Sequence, residues 1–591
     1  MSKYIRWQAL LTLLGIVLIA TVLFSISLRR EPAVPTVTPR PTSSVTTVIQ
    51  VRGGTYVEGV AGYPRFINPL FSELNDLDRD LCALIFEGLT TVNERNEIVP
   101  LLADRWEVSP DGLTYTFFLR DSVRWQDGEP FSADDVLYTI GLFQSPDFPG
   151  WPYLSELWRS VEVKKLDRYT VQFTLHESYA PFLDYTTIGL VPKHALENIP
   201  VSELYQDPFN YSPVGTGLWK VEELTQDHIV LVTNPYHRLW GETMLDRIEF
   251  KFYPSYEHIF TAYEAGEVLG ISRLLARSMD RARSNPDLQI LSARLSGHSL
   301  IFMNMNNPDR PFFQDQRVRQ ALLYALDRQA LIDQVLGGQG FIIHSPIMPQ
   351  SWAYDPQVRQ YAYDPKQAKD LLERAGWQLP DPKQVALGEL KPEDANFRAK
   401  KGQQLEFTLV TNDVPDRIAL AHAIADQWED VGVRVDVKAV SMSDLTLDYL
   451  RPRRFDAVLS QWQSLPPDPD AYPVWHSTQI EGTGQNYSGF VNRDADEAIE
   501  VARQLTDPGE RAELYYQFQQ IFADQVPALL LYQAVYTYGV DKRVRNVQIA
   551  PMPDPSGRFR SAAKWAVLAK EVLLSDWNDQ VGDKLDKRAV P

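Results

Sequence analysis

The run from Leu405 to Trp462 decides the fold class. It opens with LEFTLVT (405–411), continues through DRIALAHAIADQWEDVG (416–432) to VRVDVKAV (433–440), and ends with FDAVLSQW (455–462). The first segment alternates in the manner of a half-buried strand. In the second, Ile418, Ala421, Ile424, Ala425 and Trp428 fall on one helical face, and Gly432 stands where a helix stops. The third places Val433, Val435 and Val437 on one strand face, and the fourth reads as another strand. Strand, helix, strand with a short turn at each end is a β-α-β unit, so parallel strands joined by a right-handed crossover are expected.

Outward from this unit the same mixture continues. RVRQALLYALDRQALIDQVLGG reads as a helix or helix pair ending at Gly337-Gly338. Ala512 to Phe522 reads as helix and VPALLLYQAVYTYGV as strand, while DPKQVALGELKPEDANFRAKKGQQ reads as a polar insertion. Further upstream, SPDGLTYTFFLRDSVRWQDG (109–128) carries two Asp-Gly turns. Between them Tyr115, Phe117 and Leu119 alternate with polar residues as a strand, and Phe118 implies a partly covered outer face. Val123 and Trp125 flank Arg124 as a second strand, and Ser132 with Asp135 forms a capping-box start for a helix. Asp134 and Asp135 are read as first-turn acids, not as a catalytic pair, because consecutive helix residues point about 100° apart. The last ~30 residues, from Arg558, read as an appended amphipathic helix and tail.

The chain has 591 residues, more than one hydrophobic core usually serves, so at least two lobes are expected. A formal charge of −19 argues against nucleic acid, which needs clustered cations. Its 14 Trp, 27 Tyr and 26 Phe suffice to line a large cleft as well as fill a core. The only cysteine, Cys82, sits among Leu81, Ala83 and Leu84 and reads as a buried thiol, so no intramolecular disulfide or zinc-cysteine cluster is expected.

The N-terminus stands apart. A basic flank, 1–6, precedes an apolar run, 7–28, whose length suits an uncleaved transmembrane signal-anchor; Ser25-Ile26-Ser27 also fits cleavage as a signal peptide. Residues 29–50, with Pro32, Pro35, Pro39 and Pro41 among Ser and Thr, read as an extended linker.

No catalytic constellation emerges. Nucleophile-elbow, zinc-protease and phosphate-loop motifs are missing, and Gly215-Thr216-Gly217 reads as a turn. The nine histidines are scattered without metal spacing. No catalytic residue, metal site or cofactor is assigned, and an envelope hydrolase is the weakest reading.

The order of segments adds more. GGTYVEGVAGYPRFINPLF, LIFEGLT, PLLADRWEVSPDGLTYTFFLRDSVRWQDGEPFSADDV, PVGTGLWKVEEL, RVRQALLYALDRQALIDQVLGGQG, YDPKQAKDLLERAGW and FDAVLSQWQSLPPDPDAYPVWHS occur in that order. This succession, from about Gly53 to Ile549, resembles the extracellular solute-binding proteins of family 5, the oligopeptide- and dipeptide-binding type of the peptide/nickel ABC transporters. The resemblance implies an α/β fold like that of periplasmic binding proteins (type II, cluster C-like), with two lobes, a hinge and a third small domain. It assigns 51–92, 213–297 and 540–575 to lobe I, 93–212 to the small domain, 298–539 to lobe II and 576–591 to a C-terminal tail. It implies an extracytoplasmic protein that captures a peptide or other small molecule between the lobes and delivers it to permease subunits; a monomer is expected, tethered, on the length of the apolar run, by its N-terminal helix. A ligand sensor feeding a non-transport partner is the alternative.

Positions matching the family's cleft are Tyr63, Phe302, Asn304, Trp462, Gln463, Ser464, Leu465 and Tyr532. Two departures stand out. Relatives are commonly lipoproteins, yet no Cys lies near residues 20–30. Peptide-binding members carry an Asp three residues after a Trp to hold the peptide ammonium; here Trp462 is followed by Leu465, and Asp468 sits in an Asp-Pro that resembles a structural part of the motif. A sugar, an opine-like molecule or a capped or cyclic peptide therefore competes with free peptides as ligand.

Overall fold

The computed structural model describes residues 53–568, apart from 73, 74, 151, 382, 384–386, 388, 389, 463 and 464. The apolar N-terminal run, the linker and the tail after 568 lie outside the described residues. Among the described residues no helix is long and apolar enough to cross a membrane.

A twelve-stranded mixed sheet organises the protein. In chain order its principal strands are β1 (Thr55–Ala61), β2 (Trp219–Leu224), β3 (His228–Thr233), β4 (Arg247–Tyr253), β5 (Gly270–Ile271), β6 (Leu288–Arg294), β7 (His298–Met303), β8 (Gly340–Ile342), β9 (Glu406–Asn412), β10 (Arg434–Val440), β11 (Ala457–Trp462) and β12 (Ala528–Asp541). Their spatial order is β10-β9-β11-β7-β12-β5-β1-β4-β3-β2, with β6 and β8 also pairing with β12.

The 405–462 run folds as expected. β9 pairs in parallel with both β10 and β11, and the helix Pro415–Glu429 connects β9 to β10. Ala421, Ile424 and Trp428 are buried, while Ile418 and Ala425 are half-buried. Gly432 ends the connection with φ +87°, a left-handed conformation that costs a side-chain-bearing residue about 1–2 kcal/mol.

Two large cores flank the point where the chain crosses β12. One is built from residues between Tyr56 and Leu295 together with Tyr536, Tyr538, Val540 and the segment through Trp565. The other runs from Leu300 to Tyr532. β12 serves both, its first half packing in the second core and its latter half in the first; Ala534 touches each. The other crossing is the short link from β6 to β7.

Residues 103–175 also form a separate four-stranded antiparallel sheet from Ala103–Val108, Thr114–Leu119, Thr170–Leu175 and Val161–Asp167, in that order. Tyr115, Phe117 and Leu119 point inward, and the Arg105 guanidinium covers Phe118 at 3.4 Å from its ring centre. The helix Ala133–Gln144 begins with the Ser132/Asp135 capping box in both directions. The second strand expected around Arg124 does not form; Arg124 makes only an isolated bridge with Pro130, because the Asp127-Gly128 turn folds the chain back at once. Gly215 and Gly217 press against the Ile85 carbonyl, where a Cβ at Gly215 would lie 1.9 Å away. That close approach, not a ligand, explains the Gly-Thr-Gly.

The stretch from Arg558 corrects the sequence reading. Pro555–Lys564 is a 3-10 helix built into the first core, with Phe559, Ala562 and Trp565 buried, not an appended amphipathic element. Arg558 itself is 1% exposed. Its guanidinium donates to Glu58 at 2.7 Å and to both oxygens of Asp80 at 2.7 and 2.6 Å. The hydroxyls of Tyr56 and Tyr538 donate to the same Glu58 carboxylate at 2.7 and 2.6 Å.

Candidate functional site

Pairing register places the site. In the antiparallel pair β7–β11, His298 lies opposite Trp462, the first residue of one strand against the last of the other. Residues paired directly across a ladder project from the same face, so imidazole and indole share one end of the sheet. Beyond Trp462 the chain turns through Leu465-Pro466-Pro467-Asp468-Pro469, and the Leu465 amide donates to the Ser296 carbonyl at 2.8 Å, which fixes the turn against the β6–β7 link.

A cleft of about 640 Å³, counted out into open solvent, lies there, walled by Trp462, Leu465, the proline-rich turn, His298, Gln350, Ile347, Trp475 and Asn96. A second cavity of about 390 Å³ shares Ser296 and Trp462 with it and adds Asp76, Arg79 and Arg273. A third of about 320 Å³ shares Asp76, Arg273 and Pro555 with the second and reaches Asp80 and Arg558. Together they form a crevice along the crossings between the two cores, apolar and neutral at the Trp462 end and charged at the other.

Carboxylates at the Trp462 end are committed to partners. Asp468 receives both Arg511 nitrogens at 2.7 Å, and Asp470 receives Arg503 at 2.9 Å and the Tyr179 hydroxyl at 3.2 Å. Such bidentate, charge-assisted pairs are among the strongest polar contacts. The proline-rich turn is thereby pinned to the helix Pro508–Gln525 and to the loop at Tyr179.

Of the residues expected in the cleft, Trp462 and Leu465 line this cavity. Gln463 and Ser464 lie outside the described residues. Phe302 is fully buried one layer below, edge-on to Trp462 and Tyr487, and acts as a support for the indole. Asn304 spends its amide on the carbonyls of Arg453 at 3.0 Å and Phe455 at 3.1 Å, tying the end of β7 to the start of β11. Tyr532 pairs with Ser299, one position on from His298, and so belongs to the opposite sheet face. Tyr63 is exposed, packs edge-on against Phe252 and donates to the Thr225 carbonyl at 3.3 Å, away from the cavity.

Sequence reasoning missed His298, Gln350 and Asn96. His298 was visible only as one of nine scattered histidines, and its partnership with Trp462 depends on strand register. Burial holds its imidazole neutral, pushed down to about 3. Among the described residues, no group of His, Cys, Asp and Glu has the arrangement of a metal site.

Comparison with known proteins agrees with this architecture. Residues 97–482 match the family described as bacterial extracellular solute-binding proteins, family 5 Middle. The chain is 31% identical over 495 residues to the oligopeptide-binding protein AppA of Bacillus subtilis (strain 168), covering 81% of this chain and 86% of that one. The solved structure of AppA in complex with a nonapeptide superposes with a TM-score of 0.68 at 27% identity, covering 88% of this chain and all of that one (100%). The structure of NikZ from Campylobacter jejuni in complex with Ni(L-His) gives a TM-score of 0.69 at 27% identity over 87% of this chain and 99% of that one.

Proposed function

Since the chain belongs to family 5 of the bacterial extracellular solute-binding proteins, we propose that its crevice captures a peptide-like solute between two lobes and that Trp462 and Leu465 are walls of the bound state. The division into lobe I, a small domain over 93–212 and lobe II is part of this reading. It is supported by two cores joined through β12 and the β6–β7 link, since few crossings between packed bodies favour hinge closure. Delivery to the permease of an ABC importer follows from the family. Tethering through residues 7–28 and action as a monomer complete the proposal.

The observation that carries it is the location of the cleft: a largely apolar space at the crossing between cores, with a tryptophan on its wall. Oligopeptides and a nickel–histidine complex are what the named relatives bind, so both enter the test. The full-length chain is screened by thermal shift against free peptides, blocked peptides, saccharides and metal–amino-acid complexes. A true ligand at a hundredfold excess over its dissociation constant stabilises the folded form by about 2.7 kcal/mol, a rise of a few degrees. If no solute class raises the midpoint, the binding reading fails.

A further inference from the structure

The two ends of the proline-rich turn are held by unlike contacts. At one end the Leu465 amide is fixed to the Ser296 carbonyl, where the chain crosses between the cores. At the other, Asp468 and Asp470 meet the loop 178–184, whose Phe182 and Leu183 pack in the first core. Both acids also wall the cleft, so the turn spans from the crossing to this second contact.

The second contact is made of polar bonds. The Tyr179 hydroxyl donates to Asp470 at 3.2 Å, and the Asp468 amide donates to the Asp184 carboxylate at 2.9 Å. The Ser178 hydroxyl and the Ala180 amide donate to the carbonyls of Gln504 and Arg503. The Arg503 guanidinium lies 4.9 Å from the Tyr179 ring centre and 4.2 Å from that of Tyr472. On the loop side the apolar residues belong to the first core; Ala471 and Ala502, facing them, belong to the second. Ala534, at the crossing, packs in both. Polar surfaces between separately packed bodies are the kind that part and rejoin.

Charge at this contact does not balance. Asp468 takes both Arg511 nitrogens at 2.7 Å, and Asp470 takes Arg503 at 2.9 Å. Asp184 faces both acids and, among the described residues, pairs with no cation; its carboxylate holds the Asp468 amide. The other titratable groups here are phenols: Tyr179 and Tyr185 from the loop, Tyr515 from the helix Pro508–Gln525 and Tyr115 from the strand Thr114–Leu119. Burial keeps all four protonated. Three acids thus meet two arginines, and a proton on Asp184 removes the excess charge while leaving an oxygen for the Asp468 amide. Burial first, then Asp468, push this carboxyl from 3.8 up to about 8. Parted from the turn, it regains water and its ordinary value.

We propose that the loop 178–184 is a clasp, shut against Asp468, Asp470 and Arg503 when the lobes close over the cleft and released when they part, and that shutting it takes up one solvent proton on Asp184. This rests on the two-lobed reading and adds a proton to the closing step. Between about pH 4 and 8 the shut form carries a proton that the open form has lost, so rising pH favours opening.

Single-molecule fluorescence energy transfer on the full-length chain tests it without a ligand. Dyes are placed at Leu166→Cys, on the strand Val161–Asp167, and Leu447→Cys, beside Leu445 and Leu450 of the second core, with Cys82→Ala preventing a third label. Both labelled positions are 54% exposed. Two populations are expected, with the shut-to-open ratio falling by up to about tenfold per pH unit from pH 5 to 8. Asp184→Asn should make the ratio independent of pH. Tyr179→Phe, which loses the bond to Asp470, should lower the ratio about tenfold at every pH and keep the slope. Circular dichroism at each pH checks the fold. One unchanging transfer efficiency in parent and variants would make the contact a permanent interface and overturn the clasp. An equal pH slope in Asp184→Asn would overturn the role of that carboxyl, and an unchanged ratio in Tyr179→Phe the role of the loop. The solute screen judges ligand binding separately, since no ligand enters this measurement.

Discussion

Arg558 shows how one residue holds distant parts of the chain together. It gathers Glu58 from β1 and Asp80 from the helix Asp76–Ile85, both buried, with two tyrosine hydroxyls completing the Glu58 shell. Burial pushes Asp80 up to about 7, against the pull of the arginine. Desolvating these charges offsets much of their attraction, so the intact cluster adds little net stability, whereas removing one partner strands the others. Arg558→Met is expected to lower stability by about 3–5 kcal/mol, measured by urea denaturation, because two carboxylates lose the buried cation they share. The triple replacement Arg558→Met, Glu58→Gln, Asp80→Asn should recover part of that loss. A single variant within about 0.5 kcal/mol of the parent, the range of ordinary surface changes, would show that the acids simply take up protons.

Elements with local signals were legible in the sequence, and those fixed by distant partners were not. The capping box at Ser132 is local: its hydroxyl accepts from the Asp134 amide at 3.3 Å, and the Asp135 carboxylate accepts from the Ser132 amide at 2.9 Å. Ser132→Ala is expected to destabilise by about 1 kcal/mol, with Ser132→Asp retaining most of the parent stability, read as a shift in urea midpoint at constant slope. The β-α-β unit was legible for the same reason, since alternation, a helical stripe and Gly432 all lie within forty residues or so of one another. Arg558 misled because a charged side chain on a helical repeat reads as solvent-facing; only its carboxylate partners, almost five hundred residues upstream, make it core. Within the candidate site, Trp462 and Leu465 stood out through their motif. His298, Gln350 and Asn96 did not, because register and three separate loops bring them together. Phe302, Asn304 and Tyr532 matched the family's cleft from other stretches of the sequence but differ in depth or in sheet face, which spacing alone does not separate.

For the molecule as a whole, the junction between the 103–175 sheet region and the second core sets how the Trp462 turn is held. The Ala180 amide donates to the Arg503 carbonyl at 2.8 Å, the Ser178 hydroxyl to the Gln504 carbonyl at 2.6 Å, and the Asp468 amide to the Asp184 carboxylate at 2.9 Å. Asp184 thus faces Asp468, Asp470, Arg511 and Tyr185. Burial first, and the negative Asp468 second, push its carboxyl up to about 8. Between the ordinary value of 3.8 and that raised value, the folded protein keeps a proton that the unfolded chain has released. Stability from this group therefore falls as pH rises from about 4 to about 8, by at most about 1.4 kcal/mol per pH unit. Asp184→Asn keeps an oxygen for the Asp468 amide and removes the titration. Urea denaturation at pH 5.5, 7 and 8.5 should show the variant gaining on the parent with each step upward, with the largest gap at the alkaline end. His298 titrates the other way, losing stability as pH falls below its ordinary 6.5, but parent and variant both carry it, so its effect cancels in their difference. Parallel stability curves for Asp184→Asn and its parent would mean that the carboxyl is ionised in the folded junction, with Arg511 shared between Asp468 and Asp184.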